Sequence, residues 1–394
     1  MGACAAQVAP RESRSFCASG GREIGVVRSP GPGDPPPTAC LAWRTPGAPA
    51  SRTVAQPLHT AAGMLTALLF ACTPSPTPTE ERGGRLPAPA LASTADPFEP
   101  IPASLDLDPR LVTLGGRLFA DPALSGSGTR ACTDCHVLEK GGIYPEDARP
   151  SHPDDGTGLY NVPTVFNVAF NFRLNWQGGK ETLEEHFRAV LLNPRVMDGG
   201  SWEAVEARLS SYDADFVAAG FPSGVTAAGI EAAVVSYERS LLTPNAPFDR
   251  WLRGETEIPE PARRGYAHFK DLGCVSCHQG INVGGNLFQR FGIQADPFAD
   301  RGATTRDHGR ALLTGLPEDE FVFRVPSLRN VAVTAPYFHD GSAPSLPMAV
   351  REMGRVQLGY GLADDEVADI VAFLESLTGE WAGQSLAVLA APAP

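Results

Sequence analysis

Two short stretches constrain this chain more than anything else in it: ACTDCHVLEKGG from Ala131 and GCVSCHQG from Gly273. Each sets two cysteines three apart with a histidine directly after the second, giving Cys132, Cys135 and His136, then Cys274, Cys277 and His278. A disulfide framework has no need of a histidine after each pair. Zinc held by four cysteines is conceivable, but 138 residues separate the two pairs, far beyond zinc-ribbon spacing. A thiol–disulfide exchange motif calls for a βαβ setting that the surrounding sequence lacks. Covalent c-type haem remains. Two thiols add across the two vinyl groups of one porphyrin, which demands a short fixed spacing, and the adjacent histidine then reaches the iron.

Four of the eight cysteines lie elsewhere, at Cys4, Cys17, Cys40 and Cys72. Residues 1–63 are rich in Pro, Gly, Ala and Arg and carry no helical or strand period. They read either as a disordered segment or as sequence upstream of the true start. From Met64 a short apolar run ends at Ala71-Cys72 and leads into a Pro/Thr-rich tether. That pattern resembles a bacterial lipoprotein export signal (64–72), with Cys72 as the lipidated residue. A plain signal peptide and a chance apolar patch are the alternatives. Export to the periplasm, with a lipid anchor on a membrane, is the resulting expectation, and it agrees with covalent haem attachment outside the bacterial cytoplasm.

Beyond residue 72 the chain keeps 26 basic and 42 acidic residues, a net charge of −16. Such a body argues against nucleic acid as a partner and suits a basic protein partner steered by charge.

The motifs divide the body into residues 97–242 and 243–382, with a tail at 383–394. Helical periods occur at 109–119, 180–192, 201–211, 226–242, 261–273 and 363–379. In 226–242, Ile230, Ala233, Val234, Tyr237 and Leu241 make one apolar face. In 363–379 the corresponding face is Val367, Ile370, Val371, Leu374 and Leu377. Asp364 or Asp365 is expected to cap that helix and Gly379 to end it, while Gly273 stops the helix before Cys274. Strand signals are weak. The class is mainly α: two cytochrome c-like domains, each a helix, a CxxCH, a long loop and a closing helix.

The stretches LGGRLFADPALSGSGTRACTDCH, NVPTVFNVAFNF, NAPFDRWLRG, GCVSCHQGINVGG, FRVPSLRNVAVTAPYFHDG and LADDEVADIVAFLESLTG, in that order, resemble the bacterial di-haem cytochrome c peroxidases. The resemblance runs from about Pro97 to Trp381. It implies reduction of hydrogen peroxide to water by electrons from a small c-type cytochrome, received at the C-terminal haem and used at the N-terminal one. It also implies a homodimer.

The resemblance assigns further residues. Met353 is the second axial ligand opposite His278, where related di-haem oxygenases that mature methylamine dehydrogenase place a tyrosine. His152 lies near a displaceable distal histidine of the first haem. Trp176 matches a tryptophan between the haems, and Asn161, Thr334 and Pro336 match oxygen ligands of a calcium ion.

One position departs from the family. Where the family often reads N-P-x-E-M, this chain reads NPRVM, and Val196 replaces a proton-carrying glutamate. Where the family often has glutamine, ten residues after the tryptophan, this chain has His186. An imidazole of near-neutral pKa suits proton transfer, so His186 is the expected acid/base. Val196 also motivates two other readings: a non-catalytic electron-transfer or redox-sensor protein, and a di-haem oxidase of another substrate.

Overall fold

The apolar periods become helices, and the same scaffold is built twice. The computed structural model describes residues 96–144 and 160–391. The export signal, Cys72 and His152 lie outside the described residues.

In the first half, α1 (Pro109–Phe119) starts at Asp108, whose carboxylate accepts from Arg110 N–H, with Pro109 in the first turn. Then come α2 (Leu183–Leu192), α3 (Trp202–Arg208) and α4 (Asp213–Ala218). Thr182 and Ser201 cap α2 and α3. The half closes with α5 (Ala227–Ser240), capped by Thr226. The expected apolar face of α5 is buried except for half-buried Tyr237. It crosses α1 at Gly115, where a methyl group would come within 1.9 Å of the Ala233 carbonyl oxygen.

The second half repeats this plan. It contains α6 (Pro247–Leu252), α7 (Glu260–Asp271), α8 (Ala311–Thr314), α9 (Leu346–Met353) and α10 (Asp364–Glu375). Here α7 crosses α10 at Gly265, whose added methyl would lie 1.8 Å from Asp369 O. Gly273 follows α7 at φ 88°, a left-handed stop. Two details of α10 differ from expectation. Ala363 is the N-cap, its N–H satisfied by Glu366 at 2.8 Å, and Asp364 and Asp365 sit in the first turn. Gly379 lies beyond the helix end, where it lets the chain pass Thr243, whose carbonyl oxygen an added methyl would approach to 2.0 Å.

Among the described residues, strands are confined to two small antiparallel pairs, β1 (Phe288–Arg290) with β2 (Val322–Arg324), and β3 (Glu380–Trp381) with β4 (Gln384–Ser385). Each half has its own core. Leu118, Phe119, Val205, Phe216, Ile230 and Val234 belong to the first, and Phe248, Tyr266, Phe269, Ile370 and Phe373 to the second.

The ends of the described chain cross over. Phe98 packs in the second core, 5.8 Å from the Phe248 ring. Residues 384–389, expected to be tail, form β4 and α11 (Leu386–Leu389). Leu386 is fully buried in the first core, with Trp381 packed against it.

A closer repeat lies inside the halves. PTVFNVAF (163–170) and PSLRNVAV (326–333) are offset by 163 positions. Asn167 and Asn330 both adopt left-handed backbone, at φ 57° and 62°, and both side chains bond to Thr243 Oγ1, at 2.7 and 2.9 Å. The offset continues through the bridges Leu174–Lys180 and Tyr337–Ala343 and the N-caps Thr182 and Ser345. It therefore superimposes α2 on α9.

Candidate functional site

Both CxxCH motifs adopt one tight turn. Cys135 N–H donates to Cys132 O at 3.2 Å and His136 N–H to the same carbonyl at 2.9 Å. Cys277 and His278 repeat this on Cys274 O at 3.2 and 3.0 Å. Both thiols of each pair thus fall on one side of a single 3₁₀ turn, with the imidazole following. All four cysteines are half-buried and unbridged. Burial pushes the Cys132 and Cys135 thiols up and Cys274 to about 11. Reactive redox pairs show depressed values instead, so thiolate exchange chemistry is disfavoured. His136 Nδ1 lies 3.1 Å from Gly142 O and His278 Nδ1 3.4 Å from Val283 O. A backbone acceptor at Nδ1 sets the tautomer that offers Nε2 to a metal.

In the second half Cys274, Cys277 and His278 line a cavity of about 300 Å³, and Met353 lines the same cavity. Phe269, Leu346, Val350, Ile370 and Leu374 give it apolar walls. Two thiols, an imidazole, a thioether and a greasy lining fit a c-type haem with His and Met available. Met353 ends α9 where the backbone widens into a π-helical turn, Gly354–Leu358. Gln357 anchors that turn: its Oε1 accepts from Gly292 N–H at 2.7 Å and its Nε2 donates to Arg290 O at 3.0 Å.

The first half differs at the matching place. Adding the 163-residue offset to Val190 gives Met353, so α2 presents a valine where α9 presents a thioether. His186 lies four residues earlier on α2. Burial, then the proximity of His136, push its pKa down to about 4, with Lys180 and Arg324 adding to the effect. The expected near-neutral imidazole is therefore a firmly neutral one at pH 7. Val196 packs against the first core, and its carbonyl accepts from the Arg130 guanidinium.

Trp176 sits where the halves meet. Its indole Nε1–H donates to Asn161 O at 2.7 Å, and it lines the cavity of the second half together with Asn161, Thr334 and Pro336. Asn161 Nδ2 lies 2.5 Å from Pro336 O, so two of the expected calcium ligands touch. His339, the repeat counterpart of Trp176, stacks on Phe323 at 4.3 Å and bonds Asp307 Oδ1 at 2.7 Å.

Comparison with known proteins agrees with this arrangement. Residues 109–257 match the di-haem cytochrome c peroxidase family model and residues 262–378 the cytochrome c model. The cytochrome c551 peroxidase of Nitrosomonas europaea is 36% identical over 310 residues, covering 78% of this chain and 91% of that protein. The chain belongs to the bacterial di-haem cytochrome c peroxidase family. Membership gives it two c-type haems, one for each CxxCH motif. The cytochrome c peroxidase Ccp of Escherichia coli K12 is 40% identical over 290 residues, 72% of this chain and 61% of that longer protein. Among solved structures, a MauG-like protein associated with microbial copper homeostasis superimposes with a TM-score of 0.60 at 26% identity, covering 72% of this chain and 93% of that one.

Within this di-haem family fold, several site residues were not anticipated from sequence. Buried Arg324 and the Asp307–His339 pair stand at the junction. Buried Glu238 on α5 stands close enough to Cys132 to raise its thiol further. Arg324 and His339 lie inside quoted motifs, and the 163-residue repeat was the available signal for comparing α2 with α9.

Proposed function

We propose that this chain reduces hydrogen peroxide to two waters, using two protons and two electrons delivered singly by a small c-type cytochrome. The haems supply the redox-active iron. His136 and His278 would hold the irons, and Met353, which lines the same cavity as His278, would be a further iron ligand in the second half. The observation that carries the reading is Val190 at the repeat position of Met353. A valine side chain offers no lone pair to iron, so α2 would leave the first iron to peroxide once His152 is displaced, while Met353 would close the second for electron transfer. That division of labour is what a peroxidase with an electron-entry haem requires.

His186, one helical turn before Val190, is the acid/base. A neutral imidazole accepts the proton of one peroxide oxygen and returns it to the departing one. Val196 cannot do this. Trp176 provides the path between the halves, and His152 is the displaceable ligand of the first iron. Turning the Asn161 amide over places Oδ1 beside the Pro336 carbonyl, an all-oxygen arrangement that suits calcium together with the Thr334 carbonyl. The net charge of −16 beyond residue 72 suits a basic donor. Export to the periplasm, anchoring through Cys72 and pairing into a homodimer complete the reading.

The test is oxidation of reduced small cytochrome c by peroxide, catalysed by purified holoprotein with calcium present and the C-terminal haem pre-reduced. Rapid turnover supports the proposal. Absent turnover with both haems in place would favour an electron carrier or redox sensor, the reading to which Val196 points.

A further inference from the structure

Among the described residues of the second half two arginines are deeply buried, and they are treated differently. Arg329, 1% exposed, meets Asp249 Oδ1 at 2.6 Å and donates further to Ile281 O and Glu99 O. Its charge is compensated. Arg324 on β2, 4% exposed, has no carboxylate partner among the described residues. Its Nε donates to Asn175 O at 3.2 Å and one terminal nitrogen to Val325 O at 3.4 Å. A guanidinium carries five N–H donors, so two long bonds to backbone carbonyls leave most of its capacity unused. Burial alone lowers its pKa to about 10, still far above neutrality. A buried cation without a counter-charge costs several kcal/mol, and none of the described residues supplies one.

Arg324 lines the cavity that also holds Cys274, Cys277, His278 and Met353. A c-type porphyrin in that cavity is attached through its vinyl groups, and the only anionic groups it carries are its two propionates. We infer that Arg324 is the counter-ion of a propionate of the C-terminal haem. Its backbone extends the consequence. Arg324 N–H donates to Trp176 O at 2.8 Å, and its Nε reaches the neighbouring Asn175 carbonyl. One residue thus joins the edge of the electron-entry haem to the turn that carries Trp176. Arg324 is accordingly a positioning residue, and an unbroken line of bonds leads from propionate to Trp176. The nearby titratable groups are Lys180 and His186, whose pKa both Lys180 and Arg324 lower, and the Asp307–His339 pair. None supplies a carboxylate to Arg324 among the described ion pairs, because Asp307 is taken by His339.

The inference rests on the two-haem reading but not on peroxide turnover, so its test uses redox titration of the holoprotein. In the wild type the propionate stays ionised beside Arg324, and the C-terminal haem potential is expected to be flat between about pH 5 and 8. Arg324→Gln removes the cation. The ferric form gains, the potential falls, and a pH slope appears as the propionate takes up a proton on reduction. Arg324→Lys retains the charge and the flat profile. The far-red thioether–iron band, unchanged in both variants, separates this effect from loss of Met353. A sloping wild-type profile would overturn the inference, as would an Arg324→Gln protein with unchanged C-terminal potential and slope, or one in which only the N-terminal haem shifts. If Arg324→Gln yields no holoprotein, the wild-type profile and Arg324→Lys decide.

Discussion

Trp176 and His339 hold the same place in the two halves, and each accepts through its carbonyl a hydrogen bond from the other half. Arg324 N–H reaches Trp176 O at 2.8 Å, and Asn161 N–H reaches His339 O at 2.7 Å. Arg324 and Asn161 are themselves related by the 163-residue offset. The junction is therefore a pseudo-twofold clasp, and only its side chains distinguish the two directions. The tryptophan lies on the first-half side and the histidine, locked to Asp307, on the other. Trp176→Ala is expected to slow electron passage from the C-terminal to the N-terminal haem while leaving both haem spectra intact. Stopped-flow mixing of the half-reduced protein with peroxide measures this.

Val190→Met would carry the α9 design into α2. The new thioether is expected to reach the N-terminal iron and give it the far-red band of the other haem. Peroxide turnover should then be lost while donor oxidation by the C-terminal haem persists. A variant with full turnover and no new band would mean that Val190 does not face the iron.

His186→Ala should lower peroxide turnover by about 10²-fold or more, the range for removing a general acid/base. Steady-state rates at saturating donor, normalised to haem content, give the comparison. Turnover equal to wild type would remove His186 from the chemistry.

Glu238 gives a pH prediction whose sign follows from its burial. It is 8% exposed, its Oε2 has no hydrogen-bond partner among the described residues, and burial raises its pKa from 4.5 to about 8. The native state therefore holds a proton that the unfolded chain releases above pH 4.5. Stability contributed by this group is complete below that pH and declines as pH rises to about 8. Glu238→Gln should abolish the decline. The stability difference between variant and wild type should grow across that window, reaching a few kcal/mol at ~1.4 kcal/mol per pKa unit. Urea unfolding of the holoproteins at several pH values would show it.

Gly265→Ala should destabilise the second half by about 1–3 kcal/mol or more through overpacking, since the methyl must push α7 off α10. Gly115→Ala should do the same to the first half. Thermal unfolding followed at each haem would assign the loss to its half.

Much of this scaffold was legible in the sequence. The periods at 109–119, 226–242, 261–273 and 363–379 became α1, α5, α7 and α10 because each presents one apolar stripe to a partner helix. The CxxCH turns were legible because thioether chemistry fixes their spacing. Other features were not. The cap of α10 fell to Glu366 because its side chain can fold back onto Ala363 N–H, which no composition rule separates from an Asp cap. The lowered pKa of His186 depends on what surrounds α2, which a helical period does not contain. Arg324 read as one charge in a motif, and only its burial without a carboxylate marks it. Val190 looked like any core valine until the bridges and caps aligned α2 with α9.

The crossing of the chain's ends sets an order of events. Leu386 and Trp381 complete the core around the first CxxCH, and Phe98 completes the core around the second. As the polypeptide emerges, the first half stays unfinished until the segment that follows the second half is delivered, while the second waits on a segment made long before it. A nick between the halves would not release two small cytochromes, because each fragment would leave with a piece of the other's interior.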